Sequence, residues 1–436
     1  MNKLQKQLVQ DGWGNVLTGL NIRGRDKKMH LDATWERLSW LDVEHIYAVD
    51  NIAKKIVNFV VEEAFRKPIK FKIDGDKSTQ FDTDWNNYLK SIDFFTAFKK
   101  GAQWGRLYGG GLLLLGIKDG QDPSEPINYE AISSVDWKTV LHRWEANVMS
   151  VGNDVGLPYY KEPELFSLSA SSLGTLFHAS RAIRFDGEIL PDQIYRNNSY
   201  WHDSVLTSCL GAIKNFNSAH DGIATLLQDF NVGVFKMKNL AQLIASGRDA
   251  DVIKRLSLVD IKRSLVKSIV VDESEDFERK STPLNGLGEA VLQVTNRLVV
   301  DSKIPHTILL GEGATGTLSG AGDSEQEQWD DYVSGVQNGD YKPKLMQAMK
   351  ILLSDKSNPV TKGQIPAGFD IEFLPLEQMS EADEADIYAK TAEADSKYIQ
   401  NQVLTPDEVA ISRFGGSKFN SHISIDVNDR GTNATE

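Results

Sequence analysis

Eight apolar residues, Leu206, Leu210, Ile213, Phe216, Ile223, Leu226, Leu227 and Phe230, recur at helical spacing. They predict one amphipathic helix over 203–231, about 28 residues and ~40 Å long at 1.5 Å per residue. A second set, Leu287, Ala290, Val291, Val294, Leu298 and Val299, predicts another helix within 284–304. Between them Val232 to Met237 reads as a strand, and Leu240 to Ala245 and Ala250 to Leu265 carry a helical pattern. Ser268 to Asp272 reads as an apolar strand that pairs with Phe277 to Lys280. A small α/β module over 232–283 is therefore carried between two long helices.

The flanking sequence is mixed in period. Residues 1–42 read as an exposed arm, turn-rich at Gly12-Trp13-Gly14 and basic from Arg23 to Lys28. One amphipathic helix is expected over 43–65, ended by Pro68, with Ile69, Phe71 and Ile73 alternating as a short strand. Phe94 to Arg106 is helical, Gly109-Gly110-Gly111 breaks it, and Leu112 to Ile117 reads as a buried strand that packs closely on that helix end. From 127 to 201 come short strands: Trp144 to Val151, Tyr159 with Tyr160, Phe166 to Leu168, Leu176 to His178 and Ile183 to Gly187. The fold class expected is α+β rather than a regular βαβ repeat.

Past residue 322, Asp323 or Ser324 is expected to cap a helix with Trp329, Tyr332, Val333 and Val336 on one face. Gly339 and Pro343 should interrupt or kink it before Leu345, Met346, Met349, Leu352 and Leu353 continue the stripe. Phe369 to Leu374 reads as a strand and Ser380 to Gln402 as an Ala/Glu-rich helix. Thr405-Pro406-Asp407-Glu408 is a capping box with proline at the first helical position.

Composition narrows the function classes. The chain has 436 residues, room for two to four domains. Its single cysteine, Cys209, excludes an intrachain disulfide and any multi-cysteine zinc site, and it reads as a packed helix residue. No apolar run reaches the ~18 residues of a membrane span, and Met1 to Gln10 does not read as a signal peptide. A soluble protein of a reducing compartment, with no membrane contact, is expected. The net charge of −13 would repel a polyanion as a whole. It is unevenly spread: residues 232–271 hold eight Lys/Arg and three Asp, net +5, and 370–436 hold five basic and fourteen acidic residues, net −9.

Three constellations invite a catalytic or ligand reading. Residues 311–322 hold five glycines, and Gly311 and Gly316 have the G-x-x-x-x-G spacing of a phosphate loop. Thr317 stands where such a loop needs lysine, and Glu312 would repel phosphate, so a mobile connecting loop is the better reading. His178-Ala179-Ser180 and His422-Ile423-Ser424 are two H-x-S tripeptides, as in two-histidine phosphoesterases, where imidazoles trade protons across a phosphodiester. Here they stand far apart in unlike contexts. The acids from Asp272 to Asp276 read as a solvated turn sooner than a metal site. No catalytic, cofactor or metal residue is expected.

One resemblance organises these pieces. Ile304-Pro305-His306-Thr307-Ile308-Leu309-Leu310-Gly311, the glycine-rich loop, Asp323, and then Tyr332 to Gln337 resemble the portal proteins of tailed bacteriophages. So do Tyr47, Asp50-Asn51, Ala53 and Lys55-Ile56-Val57, then Arg106-Leu107-Tyr108-Gly109-Gly110, Tyr200-Trp201 with Asp203 to Leu206, and Leu404 to Val409. The resemblance covers about 45–415 and is closest to short portals without a large crown. It implies a non-enzymatic subunit of a ring, usually of twelve copies, at a capsid vertex of the virion, assembled in the host cytoplasm. Double-stranded DNA passes through the ring. The implied plan is an arm and α/β wing over 1–202, stem helices over 203–231 and 284–304, and a clip over 232–283. A tunnel-loop region follows over 305–322, then a long wing helix and strand over 323–379 and a small crown over 380–436. The implied DNA-facing residues are Gly311, Glu312, Gly313, Thr315, Gly316, Thr317, Ser319 and Gly320. Lys236, Lys238, Lys254, Arg255, Lys262 and Arg263 would serve clip contacts. The implied partners are the terminase large subunit, the major capsid protein and a neck or adaptor protein. The rival readings are a phosphoesterase using His178 and His422, and a neck or tail adaptor ring.

Overall fold

The computed structural model describes residues 37–75, 78–156, 160–169, 175–228, 231–236, 253–254, 276–281, 286–311, 321–376, 381–401, 403, 405–406 and 408–410. The chain divides into two units, Met1–Leu374 and Pro375–Glu436.

The expected helix over 43–65 is two helices, α1 (Trp40–Val49) and α2 (Asn51–Ala64). The reason is Asp50. It is extended, with φ −97° and ψ 118°, and its Oδ1 accepts the backbone N–H groups of Ile52 and Ala53 at 2.8 and 3.0 Å. An N-cap has to sit outside the helix it caps, so α1 ends there although the apolar period runs on. Helix α2 buries Ala53, Ile56, Val57, Val60, Val61 and Ala64. Strand β1 (Ile69–Lys72) follows, then α3 (Ser78–Ser91) and α4 (Phe94–Tyr108).

Gly109 ends α4 in the left-handed region at φ 80°. Strand β2 (Gly110–Lys118) turns straight back along that helix. A Cβ on Gly109 would lie 2.4 Å from the His202 carbonyl oxygen, and one on Gly111 2.4 Å from that of Gly101. The expected close packing of strand on helix end is thus met by missing side chains. Strands β3 (Ser134–His142), β4 (Ala146–Val151), β5 (Pro163–Leu168), β6 (Leu176–His178) and β7 (Ala182–Asp186) make two antiparallel sheets, β3-β2-β7 and β4-β5-β6. Leu112 pairs with Leu141 on one side and Arg184 on the other. Leu112, Leu114, Phe166, Phe177, Ala182 and Trp201 form one apolar cluster. Tyr160 makes only an isolated bridge with Gly152, and Tyr159 lies outside the described residues.

Short helix α5 (Asp192–Asn197) leads to α6 (Val205–Gln228), 24 residues long. Strands β8 (Asn231–Lys236) and β9 (Asp276–Ser281) pair antiparallel, Asn231 opposite Ser281. Residues 277–280 pair with β8; Ser268–Asp272, their expected partner, lies outside the described residues, as do 240–245 and most of 250–265. Helix α7 (Leu287–Ser302) returns along α6, and the Cys209 thiol donates to the Asp301 carbonyl at 3.1 Å.

Then come α8 (His306–Leu310), α9 (Ala321–Val336), a π-turn over Gln337–Tyr341, and α10 (Lys342–Leu353). Helix α9 already starts at Ala321, so Asp323 and Ser324 lie in its first turn rather than at a cap. The expected kink is the π-turn. Pro343 has no N–H for the Gly339 carbonyl, and the wider turn relieves the clash of its ring with that carbonyl. Strand β10 (Asp370–Phe373) pairs antiparallel with β1.

In the second unit α11 (Glu381–Gln400) carries Lys390–Asp386 and Lys397–Glu393 ion pairs one turn apart. The capping box is present: Glu408 N–H donates to Thr405 Oγ1, and Thr405 N–H donates to Glu408 Oε2 at 2.8 Å.

Replacing Gly109 with alanine forces a positive φ on a residue with a Cβ and drives that Cβ into His202. We expect a loss of about 1–3 kcal/mol in urea unfolding.

Candidate functional site

The root of the α6–α7 hairpin is built from helix ends. The Ser204 N–H donates to Asp203 Oδ1 at 2.8 Å and Leu206 N–H to Ser204 Oγ at 3.1 Å, which satisfies the N-terminus of α6. Glu188 and Asp203 exchange backbone hydrogen bonds at 2.8 and 3.1 Å. Lys303 closes α7 in the left-handed region, φ 60°, and its ammonium reaches Glu188 Oε1 at 3.0 Å. Burial pushes the Cys209 thiol up to about 11, so it is a packed donor and not a nucleophile.

From Lys303 the chain passes through buried Ile304 into α8, which Gly311 ends at φ 72°. Two contacts hold α8. Lys55 donates from Nζ to the Ile308 carbonyl at 2.6 Å, with its ammonium over the Phe59 ring. Thr307 donates its N–H and its hydroxyl to Glu325 Oε2 on α9, at 3.3 and 2.8 Å. Residues 307 and 325 flank the glycine-rich loop, so its two ends are clasped to each other and to α2.

Three polar residues that carry the portal resemblance fasten α2 along its length. Asp50 caps α2 with one oxygen and takes the Asn217 amide of α6 with the other, at 2.6 Å. Arg106 donates to the Val57 and Ile56 carbonyls at 2.9 and 2.7 Å. Gln337, buried at the start of the π-turn, donates to the Ala64 carbonyl at 2.7 Å. Their polar atoms go to main-chain groups and, for Asp50, to one side-chain amide, which is positioning rather than chemistry.

Of the expected loop residues, Gly311 is the helix end just described. Glu312, Gly313, Thr315, Gly316, Thr317, Ser319 and Gly320 lie outside the described residues. Among the expected clip residues, Lys236 ends β8 and Lys254 is exposed in a helical stretch, while Lys238, Arg255, Lys262 and Arg263 lie outside. From Ile304 to Tyr341 the sequence has seven acids (312, 323, 325, 327, 330, 331, 340) and no Lys or Arg. The loop and its flanks are therefore uniformly acidic.

His178 sits in the β region, 3% exposed. Its Nδ1 accepts the Ser180 N–H at 3.1 Å and lies 2.9 Å from the Ser180 hydroxyl, which in turn accepts Ile127 N–H. That is a core role for the H-x-S motif. His422 lies outside the described residues. Among the described residues no cluster of His, Cys, Asp or Glu is placed to hold a metal ion, and no helix is long and apolar enough to cross a membrane. Sequence reasoning missed the Glu325 clasp, because nothing local links a glutamate to a threonine eighteen residues earlier. It also missed a cleft of about 300 Å³ beside Lys303, lined by Arg106, Phe185, Ile189 and Tyr332.

A family model described as phage portal protein matches residues 41–397. A relative from Sphingomonas paeninsulae named anti-CBASS protein Acb1 is 26% identical over 79% of this chain and 56% of its own length. One of the same name from a Caulobacter strain is 23% identical over 88% of this chain and 62% of its own. The chain thus spans about three-fifths of these two curated relatives. An uncharacterised Haemophilus influenzae protein is 24% identical over 94% of this chain and 88% of its own length. Among solved structures, a chain of the neck of a native GTA particle, computed with C12 symmetry, covers 87% of this chain and 95% of its own, at 11% identity and a TM-score of 0.46.

Gln337→Leu leaves the Ala64 carbonyl unpaired in a buried site, and urea unfolding should register a loss of about 1–3 kcal/mol. A pH series makes a separate check. Burial holds His142, His178 and His202 below their ordinary 6.5. The unfolded chain then binds protons that the native chain refuses, so stability should fall as pH drops below about 6.5. His178→Gln should flatten that slope.

Proposed function

Because the chain belongs to the phage portal protein family, we propose that it is the subunit of a ring, of twelve copies, at a capsid vertex. Double-stranded DNA is packaged and ejected through that ring. The observation that carries the reading is the clasped loop: a glycine-rich segment whose flanks are fixed to α2 and α9 by Lys55 and by the Thr307–Glu325 pair. On this reading α6 and α7 are the stem, and residues 232–283 are the clip. The clip docks the terminase large subunit during packaging and a neck or adaptor protein afterwards. Residues 311–322 are the tunnel loop. Residues 1–202 and 323–379 form the wing, which meets the major capsid protein, and 380–436 the small crown.

The mechanism is mechanical and electrostatic. Seven acids and no Lys or Arg from 304 to 341 offer DNA no strong phosphate-binding minimum, so a duplex slides past instead of sticking. Glycines let the loop adopt positive φ as it yields. The basic side chains of the clip, Lys254, Arg255, Lys262 and Arg263 among them, serve protein contacts. The chain is not an enzyme on this reading, since the polar residues at the root are spent on helix ends, carbonyls and pairs with one another.

Purified protein should form closed rings by electron microscopy and native mass spectrometry. A strict monomer at high concentration would overturn the ring reading. Proline at positions 313, 316 and 320 should leave rings intact and reduce packaged DNA; loss of rings would make the loop structural. Binding of the clip to a packaging ATPase separates a portal from a neck adaptor. Cyclic-oligonucleotide cleavage abolished by His178→Ala and His422→Ala would instead establish a phosphoesterase.

A further inference from the structure

Three of the described histidines take a main-chain N–H on Nδ1: His142 from Trp144 at 3.2 Å, His178 from Ser180 at 3.1 Å and His202 from Leu190 at 3.1 Å. A backbone N–H can only donate, so in each ring Nδ1 is bare and the neutral imidazole carries its proton on Nε2. The first two bonds close two-residue turns. The third joins segments twelve residues apart, at the root of α6. Glu188 and Asp203 exchange backbone bonds there as an isolated antiparallel bridge. Beyond that bridge the His202 ring takes the place of the next main-chain acceptor. Leu190 is the last donor before α5, because Pro191 has no N–H. Ile189, between the two fastenings, stands 79% exposed at the rim of the cleft, which it lines with Gly187 and Glu188.

The groups around the His202 ring come from four elements: Asp186 and Arg184 of β7, Glu162 just before β5, Lys344 of α10 and Tyr195 of α5. The two cations offset the two carboxylates. Arg184 is paired with Asp186 at 2.9 Å, and Glu162 accepts the Tyr195 hydroxyl at 2.7 Å. The Tyr195 ring, stacked on the imidazole at 4.6 Å, already serves the Arg184 guanidinium at 5.8 Å. Arg143, which donates to the His202 carbonyl, and Asp203 add one charge of each sign beside the same main chain, and Glu188 is paired with Lys303. With these charges balanced, burial decides, and it keeps the imidazole neutral and below its ordinary 6.5.

We propose that the Leu190–His202 bond is an acid-operated latch on the root of α6. A proton taken from solvent by Nδ1 turns the acceptor into a donor that faces the Leu190 N–H. The bond is lost, and residues 189–191 come away while the Glu188–Asp203 bridge stays. The wall of the cleft that Ile189 forms opens with them. The latch operates within one subunit and needs no ring.

Hydrogen exchange of the full-length protein, read as protection factors, tests the latch. Once released, the imidazole takes a proton near its ordinary 6.5, so Leu190 protection should fall by up to about 30-fold between about pH 8 and about pH 5. The Glu188 and Asp203 amides donate to carbonyls and should keep their protection. His202→Asn puts a carbonyl oxygen near the place of Nδ1 and cannot take the proton, so its Leu190 protection should be flat with pH. Wild-type Leu190 protection that is flat overturns the latch. So does an equal fall at Leu190, Glu188 and Asp203, which is unfolding of the whole junction. A fall in His202→Asn as large as in the wild type assigns the titration to another group and overturns it too. The wild-type profile decides the matter even if the variant fails to fold.

Discussion

Helix α2 is a strut whose main-chain ends have to be satisfied, and the elements around it are placed by how they do so. The first four N–H groups and last four carbonyls of a helix lack internal partners. Asp50 answers the N-terminus and ties α6 to it through Asn217; Gln337 answers Ala64 at the C-terminus and ties in the π-turn. Arg106 of α4 uses second lone pairs of carbonyls in the same helix, and Lys55 reaches out from it to α8. The start of α6, helix α8, the π-turn and the sheet-bearing helix α4 are thus registered on one element. Removing Gln337 leaves the Ala64 carbonyl without the partner it has, which is costlier than the bond itself is worth.

Much of this was legible as period. Apolar residues at helical spacing placed α2, α4, α6, α7, α9 and α10, because each buries one stripe. Gly109 and Pro343 were legible as breaks, since their backbone chemistry is local. What stayed hidden was pairing. The period ran through Asp50 without interruption, and only a carboxylate turning onto two N–H groups split the helix. Residues 276–281 pair with β8, forty residues back in the chain. The Thr307–Glu325 clasp and the Ile189 rim depend on tertiary neighbours, which leave no mark in a single sequence. Asp50, Lys55, Arg106, Asp203 and Gln337 were visible as a pattern, and the structure supplies their physical reason: each is a fastener of a helix end or carbonyl.

The net charge of −13 at first excludes a nucleic-acid partner, and for a protein that grips phosphates it does. Distribution matters more than the sum. The basic excess lies between the strands β8 and β9 and the acid at the loop and its flanks. A passage that must let a polyanion move needs shallow minima, and a deep phosphate site would be a fault in it.

The same division of rigid and yielding parts governs how a load on the loop would travel. Helix α8 lies between Lys303 and Gly311, both left-handed. Lysine holds that conformation at a cost of about 1–2 kcal/mol, of which its exposed pairing with Glu188 returns only a part. The two reversals make α8 a short rigid link with a bend at each end. Displacement of the loop flank is passed by Lys55 to α2 and by Ile304 to α7, and it meets Glu325 before it reaches the body of α9.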